Sequence, residues 1–159
     1  MRERNVTGAA CLLESEQRVV DAIPFEADWS RVRLYRHGCG GAAGWLRRLV
    51  LQASRNRAVA LGNRVFLPDR CEGDLGVLAH ELTHCAQYQA WGPWVYYARG
   101  AINQLRDQIH RKLRVGPSPY SYRVKPGKPF GSYGMEQQAQ MVEDCFRQDS
   151  GGDHPIPSA

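Results

Sequence analysis

Apolar residues recur along this chain with two different periods, and the segments they mark predict a mixture of helices and short strands. From Leu12 to Ile23, the apolar Leu12, Leu13, Val19, Val20 and Ile23 recur at helical spacing among charged residues, which predicts a helix that Pro24 stops. Trp29 to His37 sets Val32, Leu34 and Tyr35 against Arg31, Arg33 and Arg36, the alternation of a short strand, ended by Gly38, Gly40 and Gly41. Ala42 to Ala53, carrying Trp45, Leu46, Leu49 and Val50, reads as a second helix or, as a short continuous apolar run, as a strand. Ala58 to Leu67 reads as two strands around the Gly62-Asn63 turn, closed by Pro68 and Asp69.

The pattern changes at Asp74. Leu75, Leu78, Leu82 and Cys85 form a stripe at helical spacing; Asp74 can cap that helix and Gly92-Pro93 should end it. Val95 to Leu113 predicts another helix, with Val95, Ala98, Ile102, Leu105 and Ile109 turned inward. Prolines and glycines punctuate residues 116–134, a long loop or irregular hairpin, before a last helix over Met135–Arg147. The fold class expected is α+β: a zincin-like fold, mainly helical, with a small antiparallel sheet beside the helix that begins at Asp74. The 159 residues fit one domain, taken as residues 1–148, with residues 149–159 as a flexible tail.

Charge and cysteines narrow the partners. The net charge of +5 comes from basic residues scattered along the chain with no nucleic-acid-binding motif, so a nucleic-acid role is not expected. Five cysteines without paired short spacing argue against a disulfide framework. No apolar run reaches the length of a membrane span, and the charged N-terminus is not followed by a signal-peptide core. The expectation is a chain made in the cytoplasm that reaches any other place through a dedicated export machine.

The chemistry is concentrated in His80-Glu81-Leu82-Thr83-His84. Side chains four apart on a helix lie on one face, so both imidazoles can reach one metal ion, while Glu81 sits beside them as a general base. Zn2+ is the ion such a set suits, and the reaction expected is hydrolysis of a peptide bond by a zinc-bound water that Glu81 activates. The preceding edge strand has the place it occupies in zincins, where it can pair with an extended substrate. A catalytic zinc has three protein ligands. His37, His110 and His154 are possible thirds, Glu136 at the start of the last helix is preferred, and Glu143 is the next choice. That is a gluzincin arrangement. Tyr133, ahead of Tyr122, Tyr120 and His110, is the first candidate to stabilise the oxyanion, and Gln87 and Tyr88, one turn after His84, either line the cleft wall or simply pack.

HELTHCAQYQ and GKPFGSYGMEQQAQMVED, with DWSRVRLYR upstream, resemble the DUF4157-type metallopeptidases, closest to the Vgr-related proteins linked to type VI secretion and polymorphic toxins. The likeness runs from about Leu12 to Phe146. It implies that His80, His84 and Glu136 bind zinc, and it points to a secreted effector or toxin domain. Gln140 departs from the acidic residue that many gluzincins carry four positions after the glutamate ligand, and Cys85 stands where relatives carry an aliphatic residue. The partners implied are a peptide or protein substrate, including a cell-envelope peptide, and a secretion spike or immunity protein. The reading from another class is a metal-stabilised, catalytically silent binding or adaptor module of a secretion system.

Overall fold

Gly62-Asn63 turns the chain back on itself and joins β2 (Val59–Leu61) to β3 (Arg64–Phe66), antiparallel with Ala60 opposite Val65. Gly62 takes a left-handed φ of 62°, a conformation that favours glycine, and a Cβ there would press on the Tyr88 ring at 3.3 Å. The computed structural model describes residue 13 and residues 16–113 and 120–148; the tail expected over 149–159 lies outside the described residues.

On the other side of β3 lies β1 (Arg33–Tyr35), parallel to it, and the strand order is β1-β3-β2. The sheet is therefore mixed, which corrects the purely antiparallel expectation. From β1 the chain passes through α2 (Gly41–Ala53) before it reaches β2 and β3, and a crossover containing a helix can bring a strand back in the same direction. The strand expected over 29–37 is also shorter. Asp28 accepts a hydrogen bond from the Ser30 N–H at 3.1 Å and winds Trp29–Arg31 into a 3-10 turn. Likewise α1 covers only Gln17–Ala22; Leu13 is exposed outside it, and Leu12 is not among the described residues.

The long α3 (Leu75–Leu113) begins where Asp74 accepts the Val77 N–H at 3.0 Å, an N-terminal cap. At Gly92, with φ 75° and ψ 165°, the helical path breaks, and Pro93 opens a second run. Proline suits that place, since its fixed φ fits a first turn and its missing N–H has no helical partner there. α4 (Met135–Gln148) lies antiparallel to the first run: Asp74 meets Arg147, His80 meets Glu143, and Gln87 meets Met135. Between them and the sheet lies a core that includes Val19, Leu34, Val65, Leu82, Phe130 and Val142. The architecture is α+β, mostly helical with a small three-stranded sheet. No helix among the described residues is long and apolar enough to cross a membrane.

One expectation is reversed. Val95, Ile102, Leu105 and Ile109, expected inward, are 45%, 52%, 59% and 42% exposed, and Ala98 is exposed with them. After the bend at Gly92 the second run meets the body along its opposite face. Among its described residues, Tyr96, 5% exposed, is the one it buries.

Candidate functional site

One turn apart on α3, His80 and His84 place their Nε2 atoms 3.2 Å from each other. Glu136, in the first turn of α4, sets Oε2 3.5 Å from Nε2 of His80 and 3.4 Å from Nε2 of His84. Among the described residues these three form a group able to hold a metal ion. Bonds of about 2.0–2.2 Å at tetrahedral angles separate neighbouring ligand atoms by roughly 3.3–3.6 Å. The three separations are within about 0.1 Å of that range, so spacing and donor chemistry fit a small divalent ion with one position left open.

Both imidazoles are oriented from behind. Nδ1 of His80 lies 2.9 Å from Oε2 of Glu143, whose Oε1 accepts from Nε of Arg147 at 2.7 Å. A carboxylate only accepts, so Nδ1 carries the proton toward it and Nε2 faces the site. His84 uses a chain of amides. Nε2 of Gln87 donates to Met135 O at 3.0 Å and to Oε1 of Gln138 at 2.9 Å, which leaves Oε1 of Gln87 to accept from Nδ1 of His84 at 2.8 Å. Gln138 continues the chain by donating to Tyr133 O at 2.9 Å. Both glutamines are fully buried, and their bonds fasten the histidine helix to the turn that delivers Glu136.

Burial alone would lower the basicity of His80, but its bonds to Glu136 and Glu143 outweigh this and hold its pKa up at about 10. Glu136 shows the reverse balance: burial pushes its carboxyl up, and the bonds from His80 and His84 bring it well below the usual carboxylate range. Glu81 is 7% exposed, and burial raises its pKa although the two histidines pull it back; the Ala60 N–H donates to it. A carboxylate placed so is a more willing proton acceptor than one in water.

The site opens into a cleft of about 780 Å³ between the edge strand β2 and the second run of α3. Tyr96 lines it, with its ring centroid 6.4 Å from that of His84 and its hydroxyl a long 3.5 Å from Ala60 O. Burial raises the Tyr96 pKa, so the hydroxyl keeps its proton and stays a donor. Glu81 and Tyr96 thus both engage the backbone of Ala60, where an added strand would otherwise pair.

The structure brings together His80, Glu81, His84 and Glu136 but does not bring Tyr133 to them. That side chain is buried in the core, its hydroxyl accepts from the Lys125 N–H at 3.0 Å, and the Lys128 ammonium lies 4.0 Å over its ring. Tyr122 donates to Asp144 at 2.6 Å, while Tyr120 stands at the cleft. His37 is exposed beside Asp69, His110 is not part of the metal-ligating group, and His154 lies outside the described residues. Gln140 donates to Asp144 at 2.8 Å; the carboxylate behind His80 comes from Glu143 instead. Burial keeps Cys85 a neutral thiol. Sequence reasoning missed Tyr96 and Gln138. The only signal for Tyr96 was its place just past Gly92-Pro93, where a bend can return a side chain over the preceding helix.

Residues 22–92 match the family described as the eCIS core domain. The match takes in the sheet, α2 and the first run of α3 with His80, Glu81 and His84, and ends at the Gly92 bend, before Glu136. A 71-residue stretch is 38% identical to the type VI secretion system spike protein VgrG2b of Pseudomonas aeruginosa; it is 45% of this chain and 6% of that protein. No solved structure matches the chain at comparable significance. Part of the chain is thus similar to components of contractile injection and type VI secretion systems, which links it to a secretion or injection system.

Proposed function

We propose that this chain is a zinc-dependent peptidase of zincin-like fold, with His80, His84 and Glu136 as ligands and Glu81 as general base. The observation that carries the reading is the triangle formed by Nε2 of His80, Nε2 of His84 and Oε2 of Glu136, opening into a cleft with a buried carboxylate beside it. A purely structural metal site has no use for a general base and fills its fourth position with protein. Zinc, when bound, supplies Lewis acidity toward a water and toward the scissile carbonyl. Glu81 takes a proton from the attacking water and can return it to the leaving amine, since burial raises its pKa and makes the carboxylate a better proton acceptor. Tyr96 donates from the opposite wall to the oxygen that gains charge. The walls of β2 and of the second run position an extended peptide and exclude water. The similarity to a secretion spike supports delivery by such a system, with a peptide or protein, cell-envelope peptides included, as substrate.

Metal content and cleavage of a peptide library by the purified chain test this reading together. About one zinc per chain with chelator-sensitive cleavage is expected. Zinc without cleavage would favour the silent adaptor reading, and a chain that takes up no zinc would end both. Glu136→Ala should weaken zinc binding by more than Glu143→Ala, which removes only the partner behind His80 and should lower affinity about 10- to 100-fold. Competition with a chelating dye measures both, and a larger loss for Glu143→Ala would mean that the carboxylates exchange roles.

Tyr96→Phe removes one hydroxyl from a wall that stays packed. It should lower kcat about 10²- to 10³-fold while zinc content and KM stay near wild type, as for the loss of one oxyanion donor. An unchanged kcat would return the donor's role to another cleft residue such as Tyr120.

A further inference from the structure

The outward seam on the second run of α3 has the spacing of a helix-pairing surface. Val95, Ala98, Ile102, Leu105 and Ile109 follow one another at intervals of three and four, the period that keeps a narrow apolar seam facing one partner helix. The opposite face of the same run, with Tyr96, Gly100 and Gln104, lines the cleft, so this helix carries the site on one side and bare apolar surface on the other. Trp94, 90% exposed, stands at the start of the seam as an anchor of the kind that dominates interfaces.

Charge decides between occupants. In heptad terms Arg99 and Arg106 border one edge, Trp94, Ala101 and Gln108 border the other, and Lys112 continues the seam. The acid of this run, Asp107, lies off the seam in a neighbouring pocket that it lines with Arg55 and Gln104. A second copy laid antiparallel would oppose arginine to arginine, and a parallel one would leave the arginines facing Trp94 and Ala101; the +5 charge of the chain adds repulsion in both. A membrane surface would favour a broad bulky face, whereas this seam is narrow and has Ala98 within it, where a second backbone can approach closely. We propose that residues 93–113 dock an amphipathic helix of a partner protein whose apolar stripe is flanked by Asp or Glu.

The test uses the full chain and two synthetic helical peptides of about three heptads, both with Leu and Ile at the seam positions, one flanked by Glu and one by Lys. Wild type should prefer the Glu peptide by roughly tenfold, the scale of a few flanking ion pairs. The double variant Arg99→Glu/Arg106→Glu should invert that preference, and Ile102→Asp should abolish binding of both. All of these side chains are exposed, and Arg106→Glu alone repeats the test without disturbing the stacking of Arg99 on Trp91. Equal binding of both peptides, or a preference untouched by the charge reversal, would overturn the proposal. So would a dimer of the free chain that Ile102→Asp dissociates, which makes a second copy the occupant. Seam-dependent binding to phosphatidylglycerol vesicles with no peptide binding would make it a membrane.

Discussion

Glu81→Gln is expected to lower kcat for peptide cleavage about 10²- to 10⁴-fold, the range for loss of a positioned general base, with zinc content unchanged. The amide has nearly the same volume as the carboxylate, so the core between α3 and β2 keeps its packing. It cannot take up a proton. Burial, the largest influence on Glu81, raises its pKa, and His80 and His84 moderate the rise by favouring the ionised form. Its carboxylate form therefore accepts a proton more readily than that of a surface glutamate. Glutamine can still accept the Ala60 N–H through its oxygen, so the strand beside the cleft should hold its place. Single-turnover kinetics on a cleaved library peptide separates this loss from slow product release. Undiminished cleavage would show that another group activates the water, and the base would then have to be sought among Tyr96, Tyr120 and Glu143.

Features written in adjacent residues were legible in the sequence. Asp74 caps because its side chain reaches an N–H three residues on, Gly62-Asn63 turns because glycine accepts a left-handed φ, and Gly92-Pro93 breaks the helix. The pairing of His80 with His84 is of this kind, since spacing on a helix fixes which side chains share a face. What spacing does not fix is where that face points. Val95, Ala98, Ile102, Leu105 and Ile109 do share a face, but the bend at Gly92 turns it outward and presents Tyr96 to the site instead. The parallel placement of β1 was hidden for a related reason: strand direction depends on a long connection, and the alternation in Arg33-Leu34-Tyr35 is the same in both directions. Tyr133 stands three residues before Glu136 in sequence, yet the 3-10 turn at Phe130–Ser132 and the bond from Lys125 direct it into the core.

The double variant His80→Ala/His84→Ala is expected to bind no zinc at micromolar metal, because Glu136 alone remains of the three ligands and a lone carboxylate has little affinity for the ion. The two substitutions differ in what they leave behind. At His80, Glu143 loses its imidazole but keeps Arg147, so its charge stays paired. At His84, the buried Oε1 of Gln87 loses its donor, and leaving such a group unsatisfied costs about 1–3 kcal/mol. A void remains as well, and the variant is expected to melt earlier for reasons unrelated to metal. His84→Gln restores a side chain able to donate toward Gln87 without an imidazole, and it separates fold from binding. The expected result is a near-native thermal transition for His80→Ala and His84→Gln, each with weakened zinc uptake, and none for the pair of alanines. Full metal occupancy in the folded double variant would place the ion elsewhere on the chain and remove the basis of the proposed peptidase.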